Sequence, residues 1–424
     1  MFKTELTPPP VRALSALALM LPLAALATPT ITVDRVQQRY PWNGLVDIDY
    51  TISGLVAENP LELFVEFAAT LPSGPVVPKT FVQCAPCDLP SSNGTFRVTW
   101  NVVADCGEVV TTEAKLSAKI CSDPVSVNDA DYLVIYLDAG KDAESWPVRC
   151  VSAADMPSSF FNRDVYKLSR VVMKRVSAGK AWLGTGVGGN GVLADVKNVV
   201  RYYAEFTHDF HFGIFPVTQR QYFLMSGQAS SAHGSGAEAP MRPVNISGNG
   251  KGGSWAYISS ENGPLAALSA KVTDAGGTLL GGFTFPSESQ WEYVCRAGTT
   301  TAYFWGSDVL LMGEYAWFAN NSGGVPHAVG GLKPNPWGFY DVLGNVMEWA
   351  QDSYDKTNAA FVGTEESPIK DPLQTVGDCR VSRGQSYANE GFNCSTRTTN
   401  RKFNEADING GREGGFRLYR RIEQ

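Results

Sequence analysis

The stretch Gly338-Phe-Tyr-Asp-Val-Leu-Gly-Asn-Val-Met-Glu-Trp349 constrains this chain most. It gathers Asp341, Asn345 and Glu348 around the turn-former Gly344, with aromatic residues on both sides. Hard cations such as Ca²⁺ take several oxygen ligands, mixing carboxylates with backbone carbonyls. A tight turn can aim the carbonyls of Gly344 and Val346 at the point that Asp341 and Glu348 face. Asp341, Gly344, Val346 and Glu348 are therefore the candidate ligands of a structural calcium ion. The plainer reading is a turn with a buried aromatic and solvated acids, since Asp, Asn and Gly also serve loops for backbone reasons.

The N-terminus reads as an export signal, residues 1–27. Lys3 and Arg12 precede an apolar run from Ala13 to Leu23, and Ala25-Leu-Ala27 is a small-x-small cleavage site. The run is too short for a stable bilayer anchor, and no later segment is long and apolar enough for a transmembrane helix. The protein is expected outside the cytoplasm, as a periplasmic, surface or secreted chain beginning at Thr28. The balance of 35 Lys+Arg against 42 Asp+Glu, a formal charge of −7, argues against nucleic acid as a partner. Eight cysteines in an exported chain read first as disulfides. Cys84-Ala-Pro-Cys87 has redox or zinc spacing, but its Pro- and Ser-rich surroundings mark a loop.

Residues 30–150 look all-β. Val46, Ile48, Tyr50 and Ile52 alternate with Asp47, Asp49 and Thr51, the period of a half-buried strand. Leu63, Val65 and Phe67 repeat the pattern, then Phe96, Val98 and Trp100, then Leu116, Ala118 and Ile120. With the apolar run Tyr132–Leu137 these predict an immunoglobulin-like β-sandwich. The Pro-, Gly- and charge-rich stretch from Ala139 to Phe161 reads as a connection, with the linker placed at 151–164 and a second domain at 165–424. That domain mixes strands, loops and few helices, an α+β pattern. Its clearest helix is Ser287–Arg296, with Pro286 at its entry and Trp291, Val294 and Cys295 on one face.

Four segments of the second domain, in order, carry a resemblance. They are Phe215-Pro-Val-Thr-Gln-Arg-Gln-Tyr222, Phe283-Thr-Phe-Pro-Ser-Glu-Ser-Gln-Trp-Glu-Tyr-Val-Cys-Arg-Ala-Gly298, the stretch 338–349, and Arg383-Gly-Gln-Ser-Tyr387 with Cys394 and Gly415-Phe-Arg417. Together they resemble the formylglycine-generating enzyme (sulfatase-modifying factor) family over about residues 165–420. The resemblance implies a C-type-lectin-like fold with a small twisted sheet, two helices and long structured loops. It also implies a copper(I) site of two cysteines five residues apart, where oxygen converts a substrate cysteine to formylglycine.

This chain departs from that pattern. Cys394 falls at the second cysteine position, but Asn389 falls at the first, and an amide oxygen is a poor copper(I) ligand. Met347 stands where the family has a cleft-lining Trp, and Gln385 where it has Gly. Copper is therefore not expected. Cys394 and Ser386 remain the candidate catalytic residues of the closing segment, and Ser386 has no His motif beside it. The resemblance also implies a disulfide between Cys295 and Cys394, with Cys379 as the competing partner. His208-Asp-Phe-His211 lacks a third ligand at set spacing and reads as a turn or strand edge. The expected function is non-catalytic binding of a peptide or glycan. The alternatives are the oxidase itself and a structural surface module.

Overall fold

A computed structural model describes residues 30–41, 43–54, 64–78, 81–83, 93–107, 115–121, 125–154, 156, 164–184, 201–229, 253–354, 361–377, 380–390, 397–400 and 414–423. The first part is built of β1 (Thr30–Gln38), β2 (Leu45–Ser53), β3 (Phe64–Leu71), β4 (Gly74–Val76), β5 (Phe81–Gln83), β6 (Gly94–Asn101) and β7 (Lys115–Cys121). They form two sheets, ordered β1-β2-β6-β5 and β4-β3-β7. The alternation in β2 has the expected effect: Val46, Ile48, Tyr50 and Ile52 are buried and the residues between them are half-exposed. Val65, Phe67 and Ala69 of β3 share that core with Val98 and Trp100 of β6. Tyr50 meets Phe67 edge to face at 5.3 Å, so residues of both sheets close one apolar layer.

The rest of the described chain is mixed α+β, mostly sheet with few helices. Its strands begin with β8 (Tyr132–Tyr136), β9 (Trp146–Val151), β10 (Arg170–Val176), β11 (Gly179–Leu183), β12 (Tyr202–Phe206) and β13 (Phe210–Gly213). They continue with β14 (Val272–Thr273), β15 (Phe283–Thr284), β16 (Met347–Ser353), β17 (Ile369–Lys370), β18 (Arg380–Arg383), β19 (Arg397–Asn400), β20 (Gly414–Gly415) and β21 (Tyr419–Arg421). The longer helices are α1 (Gln219–Ser226), α2 (Pro264–Lys271) and α3 (Glu288–Arg296). A seven-stranded sheet runs β14-β9-β8-β10-β13-β21-β15. Smaller sheets run β11-β12-β17 and β19-β18-β16-β20. Among the described residues no helix is long and apolar enough to cross a membrane.

One expectation is corrected here. The run Tyr132–Leu137 was expected in the preceding sandwich, and the stretch after it as connection. Instead β8 pairs antiparallel with β10, Val134 opposite Val172, and β9 pairs with β8, Leu133 opposite Cys150. The reason is in the run itself. Every residue of β8 is buried, so the strand needs cover on both faces. Tyr132, Val134 and Tyr136 enter one core cluster, while Leu133 and Ile135 enter the other. These two clusters lie on the two faces of the large sheet.

Helix α3 positions the site. Ser287 is its N-cap, accepting from Gln290 N, and Gln290 returns the bond to Ser287 N, a capping box. Pro286 thus precedes the cap rather than opening the first turn. Trp291, Val294 and Cys295 are buried on one face, as the spacing predicts.

Candidate functional site

Three loops meet: residues 317–327, the turn 341–348 and the closing segment 383–390, the last two packed on α3 through Trp291. Gly344 packs against the first loop. A Cβ there would lie 2.3 Å from Trp317 O, and φ is +76°, so only glycine fits. Its N–H donates to Gly384 O at 2.8 Å, and Asn345 N–H donates to Trp317 O at 2.8 Å. Asn345 is fully buried at φ +59°. Its Oδ1 accepts from His327 N at 3.0 Å, and its Nδ2 donates to His327 O at 3.1 Å and Asp341 Oδ1 at 3.2 Å. Asp341 Oδ2 accepts from Gly330 N at 2.7 Å. Burial pushes the Asp341 carboxyl up from its ordinary range, against the lowering effect of that N–H.

Glu348 belongs to a different network. Its Oε1 accepts from Arg417 Nη2 at 2.8 Å, and its Oε2 accepts from Trp291 Nε1 at 2.7 Å. Arg417 Nη1 also donates to the carbonyls of Gly213 and Ile214, and Nη2 to that of Tyr340. Both partners are essentially inaccessible, 0% and 1% exposed at the side chain, so the guanidinium meets this carboxylate without water. The structure therefore joins Asp341 to Asn345, and Glu348 to Arg417. Among the described residues no group of three or more His, Cys, Asp or Glu is placed to hold a metal ion.

A second buried network was not read from the sequence. Arg383 Nη1 donates to Glu288 Oε1 at 3.0 Å, and its Nη2 to Glu292 Oε2 at 2.8 Å. Glu292 Oε1 also accepts from Arg296 Nε at 2.8 Å and Gly184 N at 3.0 Å. Burial opposes the Glu292 charge, but Arg296 and Arg383 outweigh it and hold the carboxyl below its ordinary range. Asp352 Oδ2 accepts from Glu288 N at 2.6 Å, placing a buried carboxylate at the start of α3. The available signal was the spacing Glu288, Glu292, Arg296, one stripe of a helix.

The closing segment is drawn in by Gly384, where a Cβ would lie 3.1 Å from Val342 O and 3.2 Å from the Trp291 ring. Gln385 follows at φ +59°, a left-handed conformation that side chains adopt at a cost. Ser386 is fully buried. Its N–H and Oγ–H both donate to Asn389 Oδ1 at 2.9 Å, and its Oγ accepts from Ala388 N at 3.2 Å. Ser386 thus braces a loop. Met347 is buried with its Sδ 3.8 Å from Ser382 Oγ. Cys394 and Cys379 lie outside the described residues, as do Cys84 and Cys87. Cys150 is a buried thiol that burial pushes up to about 11, so it is not a thiolate at neutral pH. His208 and His211 do not converge. His211 is buried with Nε2 on Ala130 O at 3.0 Å, while the ring of His208 meets Thr207 and Arg421.

Residues 172–422, more than half of the chain, match the model of the sulfatase-modifying factor enzyme 1-like domain. The chain belongs to this sulfatase-modifying factor family. It is 32% identical over 149 residues to the formylglycine-generating enzyme of Streptomyces coelicolor, covering 31% of this chain and 45% of that protein. It is 30% identical over 120 residues to the Mus musculus enzyme, covering 25% of this chain and 30% of that one. The chain thus spans less than half the length of these curated relatives. The solved structure of Treponema denticola variable protein 1 is 23% identical, covering 59% of this chain and 95% of its own, at a TM-score of 0.45.

The resemblance implies a copper-binding cysteine at position 389, where this chain has Asn389. The copper implied by the resemblance needs soft sulfur ligands. The Asn389 side chain, at the first such position, is turned back into its own loop. Asn389 thus offers no sulfur at that position, and its side-chain oxygen is held by Ser386.

Proposed function

We propose that this chain is an exported binding protein. In this reading its sulfatase-modifying-factor domain has given up copper oxidase chemistry and uses its loops to hold a peptide or glycan. One observation carries the reading. Asn389 Oδ1 accepts from both Ser386 N and Ser386 Oγ at 2.9 Å, so the residue at the first cysteine position closes the loop instead of facing a metal. Among the relatives are chains that bear other names, a serine/threonine-protein kinase of Chlamydia pneumoniae and a chaperone protein of Paenibacillus barcinonensis. That supports separating the domain from one reaction.

Incubation of the purified protein with copper(I) and a Cys-x-Pro-x-Arg peptide tests this reading. The expected mass spectrum shows the peptide unchanged. Loss of sulfur from the peptide, abolished by Cys394→Ser, would instead establish the oxidase reading that the names of the relatives favour.

Calcium belongs to the same proposal. The Asp341 carboxylate and the carbonyls of Gly344 and Val346 are the hard donors for it. A cation beside Asp341 would offset the burial that raises its carboxyl. Glu348 is already neutralised by Arg417, so calcium would share that carboxylate rather than own it.

A further inference from the structure

We propose that residues 361–371 form a strap that opens as one unit while the rest of the domain stays folded, with Asp371 as its clasp, and that the closed strap holds the closing segment in place. The strap lies along β12. At one end Phe361 is buried against the Tyr202 ring at 5.0 Å, and Tyr203 N–H donates to Gly363 O at 2.9 Å. At the other, Ile369 and Lys370 pair with Ala204 and Glu205, and Asp371 N–H donates to Glu205 O at 2.8 Å. The Asp371 carboxylate then closes the strap. Its Oδ1 accepts from Thr207 N at 3.0 Å, and its Oδ2 accepts from Thr207 Oγ1.

The fit at both ends is specific, and the hold between them is thin. A Cβ on Gly363 would lie 2.2 Å from Tyr203 O, so the strap seats with glycine there. Thr364 to Ser367 are exposed, Val362 is 76% exposed, and β17 is two residues long. Trp182 Nε1 donates to Glu365 Oε1 at 2.8 Å on the surface. Asp371 sits at φ +42°, a left-handed conformation that residues other than glycine adopt at a cost. Segments with few buried apolar groups and exposed hydrogen bonds open at a lower free energy than the whole domain. Closure therefore rests on the Phe361 plug and on the charge-assisted bonds of Asp371, which offset its own strain.

The strap covers a residue that leads to the site. Tyr202 is 1% exposed, and its hydroxyl is hydrogen-bonded to Ser289 Oγ of α3 at 2.7 Å. The neighbouring Glu288 accepts from Arg383 Nη1 at 3.0 Å, and Gly384 O, next in the chain, accepts from Gly344 N. Opening lifts Phe361 off Tyr202, wets that hydroxyl and loosens the α3 side of the closing segment. The strap is then the element with two states, and the closing segment responds to it. The inference concerns motion, so it does not depend on what the loops bind.

Native-state hydrogen exchange on the whole chain tests this. The amides of Tyr203 and Asp371 report the two ends of the strap, and Gly344 reports the closing segment. Ile214, whose N–H donates to Val172 O at 3.0 Å, reports the core of the large sheet. The two strap amides are expected to share one opening constant, with a weaker urea dependence than Ile214. Asp371→Gly keeps the left-handed backbone and removes the carboxylate. After correction for intrinsic rates it should speed exchange at Tyr203, at position 371 and at Gly344 about tenfold, the effect of one hydrogen bond to a charged group, and leave Ile214 unchanged. Thr207→Val, which keeps the shape and removes the hydroxyl, should act in the same direction. Unequal opening constants at Tyr203 and Asp371 would reduce the strap to fraying ends and overturn the inference. So would unchanged strap rates in both variants, a rise at Ile214 equal to that of the strap, or a faster strap with Gly344 unmoved.

Discussion

Glu348 shows how far a single residue could be read. Its oxygen chemistry was legible from residue type, while its separation from the Asp341 network was not. Its partner was not, because Arg417 lies 69 positions away and reaches it only through the parallel pairing of β16 with β20. Removing one partner of a buried pair leaves the other charged and unsolvated. Glu348→Gln is therefore expected to cost about 3–5 kcal/mol, read by denaturant titration, and a Glu348→Leu/Arg417→Met double variant should recover much of it. His211 gives a pH prediction. Burial lowers its pKa from 6.5 to about 4, and the nearby Arg420 and Arg175 act in the same direction, against the Ala130 bond and Asp209. A depressed pKa means that the folded state disfavours the protonated form. The contribution is present above pH 6.5 and is lost as pH falls toward about 4, a change of about 3 kcal/mol. His211→Gln, which can keep the donor to Ala130 O, should flatten that limb of the stability curve. An unchanged slope between pH 7 and 4.5 would show that other groups set it.

At the scale of elements, the helix was readable and one hairpin was not. α3 announces itself through Trp291, Val294 and Cys295 on one buried face, while its Ser287–Gln290 capping box emerged only in the structure. The sandwich strands announce themselves through alternation. The β8–β9 hairpin carries no such label, because a strand buried on both faces has no period and fits any sheet. Its ownership is decided by pairing with β10, which lies beyond the stretch read as a linker. This bears on where the domain can be cut. Leu133, Ile135, Trp146 and Val148 are all at most 1% exposed in the core. At about 2 kcal/mol each, their burial is comparable to the whole stability of a typical domain, about 5–15 kcal/mol. A chain starting at residue 165 should therefore be insoluble or lack a cooperative melt, while one starting at residue 125 should melt cooperatively. A sharp transition from the shorter chain would show that the hairpin is dispensable.

For the molecule as a whole, the sequence pointed to a β-rich part followed by an α+β part. The described residues hold a core of their own in the first and two clusters in the second. Separate cores need not melt together, so one midpoint need not describe the chain. That separation makes the calcium proposal testable in the intact protein. Its donors, Asp341, Gly344, Val346 and Glu348, all lie in the second part. A ligand that binds only the folded form stabilises it by mass action, about 2.7 kcal/mol at a hundredfold excess over its dissociation constant. Calcium should therefore raise the transition that monitors the second part, and chelator should lower it. The β-sandwich transition should stay where it is. Asp341→Asn tests the site without touching the Arg417 ion pair, and it should remove most of the calcium response. Magnesium should do less, because its small shell resists carbonyl ligands at irregular distances. If chelator moves neither transition, Arg417 is the counter-charge this loop uses, and the oxygen-rich turn serves the backbone alone.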